Sequence, residues 1–294
     1  MMVKNVRTDL AVETIEPEQN SLPKGVRFSR RDREGVPVEE VEVLSAEGSK
    51  ALGKPIGRYI TMTLPPLWKG DGEAMEAGTA LLAEYLREML PKEGMVLTLG
   101  LGNPGLTADS LGPKTAAGIL ATRHLTGLEP EFFRSLRPCA VLAPGVLGQT
   151  GLESAELAAA VTERFRPGAV IVVDALAAGD TARLGTTVQL SDSGIAPGAG
   201  AMNRRMELNE ATLKAPVFSL GIPTVCEAYV FASSLLGALP GEVEAGERRQ
   251  MEGFLVTPKE IDQLSARGAA MLSAGINRAL QPNLTKEELA FLTA

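Results

Sequence analysis

Residues 169–176 read Ala169-Val170-Ile171-Val172-Val173-Asp174-Ala175-Leu176. The run from Ala169 to Val173 is apolar without alternation. That pattern predicts a strand buried on both faces, as in a parallel sheet covered by helices. The run ends on an acid. A carboxylate at the carboxyl end of such a strand is costly to bury unless it is hydrogen-bonded, paired or protonated. Asp174 is therefore the most informative residue in the chain, readable as a structural cap or as a catalytic carboxylate.

Similar apolar strands are predicted at 95–99, 139–143, 186–190 and 216–220. Helices are predicted between and after them, at 73–90, 109–124, 150–166, 224–239 and 257–280. Thr150 and Glu153 have the spacing of a capping box. Thr257-Pro258-Lys259-Glu260 reads as a helix start, with Thr at the N-cap, Pro at the first position and Glu at the third. Strands alternating with helices predict an α/β fold, a three-layer α/β/α arrangement with a mostly parallel sheet. Upstream, 36–43 partly alternates apolar with polar and 58–64 is a second strand candidate, ended by Pro65-Pro66. These make an N-terminal β-rich addition. The expected division is an addition with a helix over 10–94 and an α/β core over 95–294, together one domain. Residues 240–249 read as a charged connector.

The composition supports a globular chain, with 294 residues, 45% hydrophobic and 22% charged. No stretch is apolar for long enough to predict a membrane span, and Met1-Met2-Val3-Lys4-Asn5 has no apolar secretion segment. The net charge of −7 argues against direct nucleic-acid binding. Two cysteines, Cys139 and Cys226, make no disulfide framework and predict a reducing, cytoplasmic location. One histidine, His124, cannot build the usual zinc site, so no metal and no cofactor are expected. His124 reads as a residue capping the end of the 109–124 helix.

Gly100-Leu101-Gly102-Asn103-Pro104-Gly105 fits the spacing of a dinucleotide fingerprint. Pro104 lacks an N–H, the following helix starts late, and no acid ends the next strand, so a tight turn that brings backbone close to a neighbour is the better reading. Asp109 lies beyond the same strand, where open α/β sheets place ligands, and also suits a helix cap. Asp109 and Asp174 can face one crevice, where sharing a site drives two carboxyl pKa values apart. Ser191-Asp192-Ser193-Gly194 follows another strand and reads equally as an Asx turn or as a loop whose N–H groups bind an oxyanion.

These segments resemble the germination proteases of endospore-forming bacteria. The resemblance rests on Val6-Arg7-Thr8-Asp9-Leu10-Ala11-Val12-Glu13, Gly100-Leu101-Gly102-Asn103, Asp109-Ser110-Leu111-Gly112-Pro113-Lys114, Thr122-Arg123-His124-Leu125, Pro144-Gly145-Val146-Leu147-Gly148-Gln149-Thr150-Gly151, Asp174-Ala175-Leu176-Ala177-Ala178, Ser191-Asp192-Ser193-Gly194-Ile195, Gly221-Ile222-Pro223-Thr224-Val225 and Val256-Thr257-Pro258-Lys259-Glu260, in the family's order. It implies an atypical aspartic endopeptidase with Asp109 and Asp174 as its essential pair, similar in fold to hydrogenase maturation endopeptidases. The implied substrates are the small acid-soluble proteins that coat spore DNA, and the implied location is the spore core. The family makes a zymogen, usually a tetramer, that removes its own N-terminal segment. Here that predicts a short propeptide over 1–9 and cleavage between Asp9 and Leu10. Thr8-Asp9-Leu10-Ala11 looks like the substrate motif: an acid, a bulky apolar residue, then Ala. Oxyanion or substrate contacts are expected from Gly102, Asn103, Asp192, Ser193 and Gly194. This chain has a shorter connector at 240–249 and a shorter lead before Val6 than better-known members. The rival readings are a metal-assisted peptidase using Asp109, Asp174 and His124, a nicotinamide enzyme, and a non-catalytic binding scaffold.

Overall fold

A computed structural model describes residues 7–15, 22–125, 131–196, 206–237 and 245–293. Among the described residues nine strands form one sheet: β1 (Val26–Arg33), β2 (Val36–Val43), β3 (Gly57–Thr63), β4 (Val96–Gly100), β5 (Cys139–Leu142), β6 (Ala169–Ala178), β7 (Thr187–Ser191), β8 (Val217–Glu227) and β9 (Leu255–Val256). Their order is β1-β2-β3-β7-β8-β6-β4-β5, with β9 paired to β8. The α/β core is mostly parallel, as the apolar strands predict: β8, β6, β4 and β5 all run the same way, while β7 and β9 flank β8 antiparallel. The N-terminal strands continue the same sheet through antiparallel pairings, β1 to β2, β2 to β3, β3 to β7 and β7 to β8.

Helices cover both faces. On one, Ile171, Val173, Leu190 and Leu220 pack against Leu82 and Leu86 of helix Gly72–Met89 and against Leu264, Leu272 and Ile276 of helix Ile261–Leu280. Helix Gly72–Met89 forms because Leu82, Leu86 and their neighbours share one stripe and the Asp71 side chain accepts from the Ala74 N–H at 3.1 Å. On the other face, Leu97, Leu99, Val170 and Val172 pack against Ala155 and Ala158 of helix Ser154–Phe165. Alternation along β6 thus puts odd-numbered side chains on the first face and even-numbered ones on the second, so Asp174 and Leu176 share the second face with Val172.

The structure corrects several sequence expectations. The central strand runs to Ala178, so Asp174 lies inside β6 and not at its end. The helix expected over 109–124 is only Leu111–Ala117. Beyond it, Thr122 pairs with Cys139, donating its N–H to the Cys139 carbonyl at 3.0 Å and accepting the Cys139 N–H at 2.9 Å. His124 therefore sits exposed on a short 3-10 turn, Arg123–Leu125, and caps no long helix. The helix expected from Thr150 starts at Ser154, and its box is made by Glu153 and Glu156. Thr150 ends a separate turn, Leu147–Thr150, closed by Gly151 at φ 73°.

Thr224 to Glu227 continues β8 and is not helical; Val225 and Cys226 pair with Ala177 and Ala178, and the helix is Ala228–Leu236. Thr257 does not cap the last long helix. Its hydroxyl donates to the Thr224 carbonyl at 2.8 Å, and the helix begins at Ile261. The charged stretch at 26–33 is a strand, joined to β2 by the turn Glu34-Gly35, both at positive φ as tight hairpins prefer. Part of the 240–249 connector lies outside the described residues; Ala245–Gln250 is a helix. No helix among the described residues is long and apolar enough to cross a membrane.

Candidate active site

The site is built where β4 hands over to its glycine-rich loop. Gly100, the last residue of β4, pairs with Val173, and the next N–H, of Leu101, donates to the Val173 carbonyl at 2.8 Å. The chain thus leaves the sheet beside Asp174. Gly102 follows at φ 117°, and a Cβ there would lie 2.0 Å from the Asp109 carbonyl oxygen. The Asn103 N–H donates to Oδ2 of Asp109 at 2.8 Å. A Cβ on Gly112 would lie 2.1 Å from the Leu101 oxygen and 2.6 Å from that of Val173. The turn that the sequence motif announced is therefore pressed, backbone to backbone, against the segment carrying Asp109. The same contacts lay that segment on the strand position just before Asp174.

Both aspartates are anchored. The Thr224 hydroxyl on β8 donates to the Ala108 carbonyl at 2.7 Å, which pins the Asp109 turn to the sheet. Ser110 and Ser265 share a buried hydroxyl contact at 2.8 Å, which ties the turn to helix Ile261–Leu280. Asp109 does not cap the Leu111–Ala117 helix; its carboxylate looks back to the glycine loop. Asp174 is buried, with Oδ1 accepting from the Ala175 N–H at 2.9 Å.

The N-terminal segment lies on the same sheet face. The Asp9 N–H donates to the Ala177 carbonyl at 2.9 Å, and the Ala177 N–H donates back to Oδ2 of Asp9 at 2.7 Å. Lys54 Nζ donates to the Thr8 carbonyl at 2.8 Å. Leu10 and Ala11 are fully enclosed among Val41, Val43, Tyr59 and Leu176. Glu13 accepts from the N–H groups of Gly179 and Asp180 at 2.7 and 3.0 Å. Burial pushes the Asp9 carboxyl up, against the pull of the Lys54 charge and the Ala177 N–H. Burial likewise pushes Glu13 up and Lys54 down. A cavity of about 210 Å³ adjoins the segment, lined by Asp9, Lys54, Leu176, Gln189 and Gly221 among others. A larger one, about 480 Å³, lies at the opposite ends of the parallel strands beside Arg87 and Arg137, away from both aspartates.

Asp192, Ser193 and Gly194 follow directly on β7. Asp192 Oδ1 accepts from the Arg58 N–H on β3 at 2.7 Å, and the Ser193 N–H donates to the Ser191 hydroxyl at 3.1 Å. Ser193 and Gly194 line the smaller cavity. Pro197 and Gly198 lie outside the described residues. Among those described, no three His, Cys, Asp or Glu side chains cluster as a metal site would. Sequence reasoning missed Lys54 and Gln189. The signal for Gln189 was a polar residue inside the apolar strand Val188-Gln189-Leu190.

Comparison with known proteins matches residues 4–239 to the germination protease family. The chain belongs to that family. It is 37% identical to the germination protease of Clostridium perfringens, over 97% of this chain and 98% of that one. The germination protease of Bacillus subtilis is 33% identical over 96% of this chain and 95% of its own. Family membership makes the chain a protease. A NiFe hydrogenase maturation protease from Thermococcus kodakarensis superposes on 66% of this chain and 99% of its own, at 16% identity and a TM-score of 0.37.

Proposed function

We propose that this protease degrades small acid-soluble DNA-coating proteins in the spore core during germination, using Asp109 and Asp174 to activate water. One carboxylate, ionised, takes a proton from water, which attacks the scissile carbonyl; the other, protonated, donates to the leaving nitrogen. The two act as one coupled pair, sharing a proton between them. The observation that carries this reading is the glycine loop: its Leu101 N–H bonds Val173, the residue before Asp174, and two residues on its Asn103 N–H holds the Asp109 carboxylate. Because the Asn103 N–H is engaged by Asp109, this residue supports the aspartate rather than an oxyanion.

We further propose that the chain is a zymogen that cuts itself between Asp9 and Leu10. The support is that residues 8–13 lie docked on the face that Asp174 shares, with the acid, the bulky apolar residue and the Ala each in a defined place. A tethered segment also has a high effective concentration at the site. A tetramer is proposed from the family resemblance. The apolar side chains of Leu235, Leu236 and Phe254, 72%, 79% and 66% exposed, offer a surface for it.

The test is digestion of a purified small acid-soluble spore protein, with products identified by mass. Cleavage after an acid and before a bulky apolar residue by the wild type, and none by folded Asp109→Asn or Asp174→Asn, is expected. Substantial cleavage by either folded variant would remove the two-aspartate mechanism.

A further inference from the structure

Gln189 lies on β7 directly opposite Gly221 of β8, and Gly221 lies opposite Asp174 of β6. The three residues form one row across the sheet, on the face away from Leu190, Leu220 and Val173. Two strand spacings separate Asp174 from Gln189, ~10 Å between Cα atoms. Gly221 between them carries no side chain.

The Gln189 amide grips the docked segment at two points. Its Nε2 donates to the carbonyl oxygen of Asp9 at 3.0 Å, and its Oε1 accepts from the Ala11 N–H at 2.8 Å. These two backbone groups flank Leu10, and the first is the carbonyl of the Asp9–Leu10 bond. Gln189 is only 7% exposed, so its amide works in a site largely closed to water. A buried primary amide needs partners for both its ends, and here the segment's backbone satisfies both.

We propose that Gln189 is the substrate-positioning residue of this protease: its amide fixes the chain on either side of the bulky apolar residue and donates to the carbonyl that is attacked. This rests on Asp9–Leu10 being the bond cut. The donor lies where negative charge develops on the Asp9 oxygen during attack, and the acceptor sets the register that presents this bond to Asp174 and not a neighbouring one. The contacts are to backbone atoms, so the same clamp serves any peptide chain that enters in this register. Side-chain preference comes from other groups: Lys54 and the Ala177 N–H beside the acid, and the enclosure around Leu10.

The experiment follows self-processing of the full chain by intact mass in the wild type, Gln189→Glu and Gln189→Met, across pH. Circular dichroism establishes that each variant is folded. Gln189→Met removes both contacts and is expected to slow release of residues 1–9 by about 10²-fold at every pH. Gln189→Glu is expected to be equally slow when its carboxyl is ionised. It should regain rate as the pH falls, because the protonated acid again offers one donor and one acceptor in the same shape. Equal rates in wild type and Gln189→Met, or no acid recovery in Gln189→Glu, would overturn the clamp while leaving the Asp9–Leu10 reading intact. A wild type that never releases residues 1–9 would overturn that reading first, and the clamp with it. Should the variants not fold, self-processed wild type is given two synthetic peptides spanning residues 4–18, one N-methylated at Ala11. Markedly slower cleavage of the methylated peptide supports the clamp, and equal cleavage refutes it.

Discussion

Gly102 shows how narrowly the site is specified at the level of one residue. Its φ of 117° and the 2.0 Å approach to the Asp109 oxygen leave no room for a side chain. Gly102→Ala is expected to cost about 1–3 kcal/mol of stability from backbone strain alone. It should also lose activity out of proportion, because the loop must move away from Asp109. A denaturant titration beside an activity assay checks both; a variant with wild-type activity would show that the loop does not hold the aspartate. The cysteines make a second case. Burial pushes the Cys139 thiol up to about 12 and Cys226 up to about 11. Both should resist iodoacetamide at pH 8 in the folded protein and react once it is unfolded, as mass spectrometry would read. Rapid labelling of the native protein would contradict their enclosure.

Among the elements, the two long helices on one face carry much of the packing. Leu272 in helix Ile261–Leu280 is fully buried, and Leu272→Ala is expected to destabilise by about 2–5 kcal/mol. Glu76 joins the same two helices at the surface, accepting from both terminal nitrogens of Arg278 and from Lys286. These bonds lower its pKa from 4.5 to about 2. A depressed carboxyl stabilises the fold above its unfolded pKa and loses that contribution as the pH falls through the folded one. Glu76→Gln should therefore lower stability slightly at pH 7, by about 1 kcal/mol or less for so exposed a network, and the difference should vanish towards pH 2. Melting curves across pH test this.

The same scale shows what was legible in the sequence. The apolar run at 169–173 and the amphipathic stripe at 73–90 declared themselves because burial sets their composition. Thr224 to Glu227 reads as helix from its neighbours, but four further pairings to β6 and β9, which only the tertiary fold supplies, keep it in β8. Thr257 and Thr150 matched capping spacings, but their hydroxyls found other carbonyls. Asp109 and Asp174 were legible as acids beyond and at the end of apolar strands, although pairing with β8 carries β6 on past Asp174. Gln189 and Lys54 were not, because nothing local says that residues 8–13 will lie across them.

For the whole molecule, an N-terminal extension shares one sheet with the core, and this continuity creates the docking place of the segment. Leu10 is enclosed by β2 and β3 from the addition and by Leu176 from the core. Leu235→Asp combined with Leu236→Asp should shift the protein to smaller species in light scattering if that face joins subunits; an unchanged mass would place the interface elsewhere. In the proposed zymogen this fold presents its own Asp9–Leu10 bond to the Asp109–Asp174 pair. Intact mass and N-terminal sequencing of wild type and Asp174→Asn, incubated side by side, test it most directly. The expected result is a wild-type product beginning at Leu10 and an Asp174→Asn protein that keeps its full length. Identical trimming of both, or a wild-type product that begins at another residue, would contradict it.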